Sequence, residues 1–191
     1  MAPDIASNPR AIARTAWARS ATGEPSLDLD RASTDAGFRS YWRGQTANGP
    51  LAPRSVIVMD SPPDQEDVKP WLRIRSLLEA GGVRVPRVLA EDVDHGFLLL
   101  EDLGHDTYLQ VINADNADAL FDQAITQLLT LQAIAAPADL PTYDEALLRR
   151  ELNLFDEWFL TRHLGVTLDC GDLEKLELVY RRLIDAALAQ P

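Results

Sequence analysis

The spacing of apolar residues changes character once along this chain of 191 residues, between Asp102 and Asp106. Ahead of that point, short runs with the alternation or the continuous apolarity of β-strands lie among helix-like segments. Beyond it, every patterned segment has the period of an amphipathic helix. The change predicts an α+β fold in which residues 1–103 form a small mixed lobe and residues 104–191 begin a helical lobe.

Five strands and two helices are predicted in the mixed lobe. Glycines follow both helices, and Ser61-Pro62-Pro63 ends the third strand. In chain order the predictions are a helix over 8–21, strands over 27–30, 38–43 and 54–60, a helix over 65–80, and strands over 87–91 and 96–100. In the helical lobe, amphipathic patterns predict helices over 118–135, 143–164 and 172–189.

Charge and cysteine content limit the partners and the compartment. The formal net charge of -12 repels phosphate backbones and anionic lipid, so neither nucleic acid nor a membrane surface is an expected partner. No segment reaches the ~18 consecutive apolar residues that a membrane span needs. The single cysteine, Cys170, excludes an internal disulfide. We therefore expect a cytoplasmic protein.

Two connections in the mixed lobe have the composition of ligand-binding backbone. The small residues at 33–37 suit a turn whose N–H groups close over a phosphate, because an anion must approach the main chain there. The apolar strand at 98–100 ends in a polar, glycine-terminated connector that offers backbone groups to a planar base. Taken alone, the first pattern is more typical of an ordinary hairpin turn, and the second of a strand end followed by a simple linker.

Several segments, taken in order, resemble the aminoglycoside phosphotransferase-like kinases. The resemblance lies in residues 29–43, 56–63, 97–104, 143–152 and 154–158, and so covers essentially the whole chain. Within that family, the segments look most like the bacterial N-acetylmuramate/N-acetylglucosamine anomeric kinases of cell-wall recycling. The resemblance implies a protein-kinase-like fold whose small lobe holds a five-stranded antiparallel sheet.

The same resemblance implies ATP as the cofactor, with Mg²⁺ bridging its phosphates. A loop over the phosphates would contain Ser33, Thr34, Asp35, Gly37 and Phe38. A hinge of Glu101, Asp102 and Leu103 would hydrogen-bond adenine through its backbone. The apolar walls around the base would include Leu29, Val56, Val58 and Leu100.

The segment 143–163 lies where this family shapes its sugar pocket. Four of its residues are candidates to contact hydroxyls or to stack on a sugar ring: Glu151, Asp156, Glu157 and Trp158. Each of them fits equally well as a solvated or core residue of an amphipathic helix. The implied substrates are a small-molecule amino sugar and ATP, and the sequence leaves the oligomeric state open.

One departure from the family concerns the phosphate-binding cation. Kinases of this fold place a lysine on the third strand to hold the α- and β-phosphates. The third strand predicted here contains no lysine, and the chain has only Lys69 and Lys175. Arg39 or Arg43, on one face of the neighbouring strand, is the expected substitute.

A second departure concerns the chemistry itself. The family's HxDxxxxN catalytic loop and the acidic metal motif that follows it are absent, because none of the histidines begins such a loop. We therefore expect no catalytic residue and no metal ligand in this chain, and place both beyond its end in a longer kinase. Two alternatives stay open: a different acceptor, such as an aminoglycoside or choline, and a non-catalytic nucleotide-binding module.

Overall fold

The computed structural model describes residues 8–34, 37–47 and 54–190 and divides the chain into two compact units, Met1–Ala135 and Ala136–Pro191. The first unit contains α1 (Pro9–Thr22), β1 (Asp30–Thr34), β2 (Ser40–Thr46), β3 (Arg54–Asp60), α2 (Lys69–Ala80), β4 (Val88–Asp92), β5 (Phe97–Glu101), α3 (Tyr108–Val111) and α4 (Ala117–Gln132). The second contains α5 (Glu145–Leu154), a π-helix (Phe155–His163) and α6 (Cys170–Leu188).

The five strands form one sheet in the order β1-β2-β3-β5-β4, and every neighbouring pair is antiparallel. This arrangement confirms the predicted α+β fold with a five-stranded antiparallel sheet. In the central register, Ile57 of β3 lies between Arg43 of β2 and Leu100 of β5. Because residues opposite one another in a sheet share a face, these three side chains project to the same side.

One face of the sheet packs against α1. The helix begins where the Asn8 side chain accepts a hydrogen bond from the Arg10 N–H at 2.9 Å, and it ends at Gly23, whose φ of 69° closes the last turn. Its fully buried Ala18 packs in a cluster with Val56 and Val58 of β3. The α1 face of the sheet is therefore closed by a helix and by apolar side chains.

The opposite face packs against α2. Trp71 and Leu72 of this helix contact a cluster that contains Met59 and Leu98, both fully buried. Four apolar side chains of this cluster are buried, and the burial of each stabilises the fold by about 1.5–3 kcal/mol. This packing holds α2 beside the inner strands. Because α2 contacts only part of this face, the remainder is left to line a cavity.

A buried ion pair connects α1 to the end of β3. The Asp60 carboxylate accepts hydrogen bonds from Arg14 and Arg10, both at 2.9 Å. The side chains of Arg14 and Asp60 are only 6% and 4% exposed. Burial lowers the pKa of Arg14, and its hydrogen bond to Asp60 opposes that shift. The Arg14 guanidinium also lies 3.6 Å from the centre of the Trp42 ring.

The sequence placed some element boundaries well and others poorly. β3 coincides with its predicted range, and β4 and β5 lie within one residue of theirs. β1 begins at Asp30, because Leu27, which the alternation placed in the strand, is instead buried among the residues packed under α1. β2 continues through Gly44 to Thr46.

The second unit is built around the contact between α5 and α6. Asp144 begins α5 by accepting the Leu147 N–H at 2.9 Å. The hydroxyl of the buried Tyr180 of α6 lies 2.9 Å from the Leu152 carbonyl oxygen and 2.6 Å from Asp156 Oδ1, and its single proton is shared between these two acceptors. These bonds hold α6 to the junction at which α5 continues into the π-helix.

The boundary predicted at 103/104 stays a prediction. Strand structure ends at Glu101 and only helices follow, whereas the compact units divide between Ala135 and Ala136. No helix in the described part of the chain combines the length and the apolarity needed to cross a bilayer.

Candidate functional site

A cavity of about 500 Å³ opens on the α2 face of the sheet, beside the connection that follows β5. Ile57 and Leu100 form its apolar floor, and Tyr41 and Trp71 line it as well. Residues 101–104 form one rim. The size and the combination of aromatic walls with exposed backbone are typical of a site for a small planar ligand.

The side chain of Glu101 is engaged by two arginines and not by such a ligand. Arg84 donates to both of its carboxylate oxygens at 3.0 Å, and Arg87 lies 3.4 Å from the same group. The hydrogen bonds from Arg84 lower the pKa of Glu101 to about 2. The Glu101 carboxylate is therefore already paired, which leaves its backbone groups to meet a ligand at the rim.

Asp102 joins the hinge to the sheet. Its carboxylate accepts hydrogen bonds from Arg43 Nε at 2.6 Å and from an Arg43 terminal nitrogen at 2.9 Å. The Ser55 hydroxyl and the Gly104 N–H donate to the same carboxylate. These bonds, led by those of Arg43, hold the pKa of Asp102 well below its ordinary value although burial opposes the shift.

The hydrogen-bond donors of Arg43 are correspondingly occupied by residues of the hinge. Besides Asp102, it donates to the Gly104 carbonyl at 2.8 Å and contacts His105 Nδ1 at 3.0 Å. Its pKa is raised, chiefly by the hydrogen bonds to Asp102. Arg43 therefore lines the cavity as a clamp on residues 102–105, and its charge is already matched by a carboxylate.

The predicted phosphate loop is only partly described. Ser33 lines the cavity, and Thr34 is the last residue of β1, opposite Ser40. Asp35 lies outside the described residues. Gly37 and Phe38 follow, and the Phe38 side chain is 63% exposed. The loop therefore joins the two strands whose inner faces form part of the cavity wall.

Val58, a predicted cofactor contact, does not line this cavity. Val58 is fully buried in the cluster against α1, on the face of the sheet opposite the cavity. Val56 shares that cluster, and Leu29 packs against it. Because side chains alternate along a strand, Ile57 is the β3 residue that lines the cavity. The alternation of side chains along β3 shows that Val58 and Ile57 lie on opposite faces of the sheet. The sequence alone does not show which of the two faces is covered by α1.

Arg39 directly precedes β2 and lies beside the segment that leads into α2. Its Nε is 3.3 Å from Oε1 of Glu66, and both side chains are partly exposed. Leu103, the last predicted hinge residue, is exposed and lines the cavity. Sequence reasoning missed Tyr41, Trp71 and Ser55, because each acquires its place in the site only through pairing across strands or packing of α2.

The second unit contains a separate cavity of about 500 Å³. Of the four predicted sugar contacts, Asp156 and Glu157 line it, together with Asn153 and Thr161. The Tyr180 hydroxyl holds Asp156, and Arg162 donates to Glu157 at 2.8 Å. Carboxylate, amide and hydroxyl groups on one wall are suited to hydrogen-bonding a polyol.

The other two predicted sugar contacts do not line this cavity. Glu151 accepts a hydrogen bond from the Tyr143 hydroxyl, which raises the pKa of Tyr143. Trp158 is half exposed, and the Arg162 guanidinium stacks 4.0 Å from its ring centre. Both stay predictions as sugar contacts.

The described residues do not form a metal site. Within 8–34, 37–47 and 54–190, no three His, Cys, Asp or Glu side chains are grouped closely enough to hold a metal ion. Asp102, the carboxylate nearest the hinge, is saturated by Arg43, Ser55 and Gly104. These residues therefore do not fit a Mg²⁺ ligand set.

Comparison with known proteins gives a consistent result. A family model described as the phosphotransferase enzyme family matches residues 28–191. The chain is 47% identical over 167 residues to a protein of Pseudomonas aeruginosa named N-acetylmuramate/N-acetylglucosamine kinase, and 49% identical over 167 residues to one of Pseudomonas putida with the same name. A third, from Neisseria meningitidis, is 36% identical over 179 residues.

These matches cover most of the chain but only part of each relative. They include 87% of this chain for the two Pseudomonas proteins and 92% for the Neisseria protein. The chain spans about half the length of these curated relatives, 48% of the first two and 52% of the third.

Proposed function

Because the chain belongs to the phosphotransferase enzyme family, we propose that it forms the nucleotide-binding part of an ATP-dependent kinase that phosphorylates an amino sugar. The acceptor we propose is N-acetylmuramate or N-acetylglucosamine at the anomeric hydroxyl, in peptidoglycan recycling, because similar proteins are named as kinases of these two sugars. The cytoplasm, where ATP is supplied, is the proposed location.

The cavity beside residues 101–104 is the observation that carries the nucleotide assignment. A flat apolar floor of Ile57 and Leu100 suits the faces of an adenine ring. The hinge beyond β5 supplies peptide groups at its rim, while the side chains of Glu101 and Asp102 are directed to arginines. Adenine would then be recognised by backbone alone, as backbone donors and acceptors fix orientation in such pockets.

Residues 33–39 would meet the phosphates, since they connect β1 to β2 at the cavity wall. In phosphoryl transfer the protein contributes positioning and neutralisation of charge rather than covalent chemistry. Mg²⁺ supplies charge neutralisation between phosphates in such enzymes, but its ligands are not assigned to these residues. We propose that the metal ligands and the residue that orients the acceptor hydroxyl lie in the rest of the whole protein.

The cavity beside the π-helix is the proposed sugar site. Asp156 is held by Tyr180, so its carboxylate is oriented before any ligand binds. π-helical turns are rare and concentrate at functional sites, where the wider turn redirects side chains. Asn153 and Thr161 would add neutral donors and acceptors to the same wall. Glu151 and Trp158 would act only if the ligand extends beyond this cavity.

Acceptor choice is tested with the full product of the reading frame that contains this chain. The protein is incubated with ATP and one acceptor at a time: N-acetylmuramate, N-acetylglucosamine, choline or kanamycin. Phosphorus NMR identifies the position of the new phosphate. We expect a sugar 1-phosphate with either amino sugar, and no transfer to choline or kanamycin.

Two results distinguish the alternatives. Transfer to choline or kanamycin, without transfer to an amino sugar, contradicts the proposed acceptor but keeps the kinase. Nucleotide binding without transfer to any of these acceptors favours the non-catalytic module instead. Asp156→Asn is expected to raise the KM for the sugar several-fold at unchanged KM for ATP, and Asp185→Asn, at an exposed position of α6 outside the cavity, is the matched control.

A further inference from the structure

The strand position that usually carries a phosphate-binding lysine is neutral in this protein. Kinases of this fold place that lysine on the third strand, where a glutamate of the following helix holds it. On the cavity face of β3 the side chains are Ser55, Ile57 and Met59, and none of them is charged. Met59 is fully buried against Val68 and Leu98. The β3 side chain that packs against α2 is therefore the neutral thioether of Met59, where other kinases have a lysine.

Neither lysine replaces it. Lys69 is the first residue of α2 and lines a different cavity, with Asp94 and Gly96 of the β4–β5 turn. Lys175 lies on α6 in the second unit, where it pairs with Asp172 at 2.9 Å. Glu66 lines the same cavity as Lys69, but Lys69 is not among the residues that line the cavity at 101–104, so we look to the arginines of this chain for a cation that meets the phosphates.

Arg43 faces the cavity, but its charge is committed to the hinge. It forms two hydrogen bonds with Asp102, whose side chain is 4% exposed. Moving Arg43 onto a phosphate would leave that carboxylate buried without its cationic partner, which is strongly unfavourable. Arg43 is therefore a poor ligand for an incoming anion.

Arg39 lies two positions before Tyr41, which packs on the α2 face of the sheet beside Met59. Its guanidinium is 3.3 Å from Glu66, in the connection between β3 and α2. The pair is 28% and 34% exposed, so it is reached by solvent on the side of the phosphate loop. An arginine just before β2 and a glutamate in the connection that leads into α2 thus form a cation–glutamate pair of the kind that kinases use.

We infer that Arg39, oriented by Glu66, binds the phosphate groups of a nucleoside triphosphate in place of the absent lysine. This inference rests on the proposed function, since it assumes the base lies in the cavity at 101–104. A guanidinium presents two parallel N–H groups that match phosphate oxygens, and it stays charged at any physiological pH. In a protein of net charge -12, a local cation is required to hold a polyanion.

The test compares ATP with adenosine by calorimetric titration of the chain. Arg39→Ala is expected to weaken ATP binding roughly 10- to 100-fold, the loss of one charge-assisted contact, and to change adenosine binding less than about twofold. Arg39→Lys should retain part of the ATP affinity. Arg54→Ala removes an exposed arginine at the far end of β3 and is the matched control, with both affinities unchanged.

Further variants separate the roles of the neighbours. Arg43→Ala is expected to weaken adenosine and ATP alike, because it releases the hinge. Glu66→Gln should alter ATP affinity when Arg39 is present and leave it unchanged in the Arg39→Ala background. Independent effects of the two substitutions would contradict a positioning role for Glu66.

Two outcomes overturn the assignment in different ways. If the unsubstituted chain binds ATP and Arg39→Ala binds it within twofold, Arg39 is not the phosphate ligand, while the nucleotide site stands. If the unsubstituted chain binds neither adenosine nor ATP, the proposed nucleotide site fails, and the role of Arg39 fails with it. Loss of ATP and adenosine together in Arg39→Ala, with an unchanged melting temperature, also contradicts a phosphate-specific role.

Discussion

The pair formed by Arg43 and Asp102 offers a sharp test of how the hinge is held. Asp102→Asn keeps the shape of the side chain but removes its charge. The carboxylate accepts from Arg43 of β2, from Ser55 of β3 and from the Gly104 N–H, so it connects both strands to the hinge. We expect the substitution to destabilise the first unit and loosen residues 102–105.

The expected loss in free energy of unfolding follows from the burial of the pair and from the number of hydrogen bonds that the substitution removes. Two charge-assisted bonds of about 1.5–3 kcal/mol each connect Arg43 to Asp102. Asp102 is 4% exposed, but Arg43 is 17% exposed, so water compensates part of the guanidinium's loss. An asparagine oxygen also retains a neutral bond. The expected loss in free energy of unfolding is about 2–3 kcal/mol, below the ~3–5 kcal/mol for a fully buried pair.

Urea unfolding followed by tryptophan fluorescence measures this loss. Trp17, Trp42 and Trp71 lie in the first unit and Trp158 in the second, so a Trp158→Phe background reports on the first unit alone. Asp28→Asn is the matched control, because Asp28 is 94% exposed and its contact to Arg19 is 3.3 Å long. An exposed pair of this kind contributes about 0–1 kcal/mol.

The pH dependence provides an independent check with a defined sign. The pKa of Asp102 is lowered from 3.8 on folding, mainly by its hydrogen bonds from Arg43, so the stability it contributes is complete above pH 3.8 and is lost as the pH falls below it. The difference between wild type and Asp102→Asn should be constant from about pH 8 to 5 and shrink below about pH 4. The reasoning is refuted if Asp102→Asn costs no more than Asp28→Asn at pH 7.

Three further substitutions probe other parts of the fold. Asp60→Asn should cost about 2–4 kcal/mol in unfolding free energy, because it leaves the buried Arg14 without its ionic partner. Gly96→Ala should cost at least ~2 kcal/mol, since its φ is 71° and a Cβ would lie 1.8 Å from a carbonyl oxygen. Tyr180→Phe should cost about 1–2 kcal/mol, because it removes the hydroxyl whose proton is shared between Leu152 and Asp156 in the second unit.

Each of these predictions has its own control in the same denaturation assay. Gly165→Ala places an alanine where the backbone φ is already 66°, but the new Cβ meets no atom within 4 Å. This substitution should cost only about 1–2 kcal/mol, so an equal effect at Gly96 would remove the steric argument. A loss below about 1 kcal/mol for Asp60→Asn would show that α1 is held mainly by apolar packing. For Tyr180→Phe, an unchanged midpoint would refute the role given to its hydroxyl.

Much of the sheet could be predicted from the sequence because local signals agree with the tertiary fold there. β3 is a continuous apolar run ended by Asp60 and two prolines, so its pattern, its length and its terminator give one answer. β1 was misplaced because Leu27 belongs to the core by contact with α1, and alternation alone cannot distinguish that burial from a strand. The π-helix has no periodic signature that separates it from the α-helix it continues.

The candidate site was harder to predict, because its residues act through contacts between distant segments. Arg43 and Asp102 are 59 residues apart, and nothing local in either segment indicates that they pair. Val58 and Ile57 are neighbours of similar character, and only the position of α1 decides which of them faces the cavity. The sequence did indicate a missing lysine, and the structure supplied the reason to favour Arg39 over Arg43.

Hydrogen–deuterium exchange with and without saturating ATP tests the central claim most directly. If ATP binds in the cavity at 101–104, peptides covering 39–43, 55–59 and 100–104 become protected, while α1 and residues 153–173 exchange as before. A groove beside α1, lined by Arg14 and Asp30, is a competing location in the first unit. Protection confined to 11–19 and 28–30, or no protection anywhere, would contradict the account.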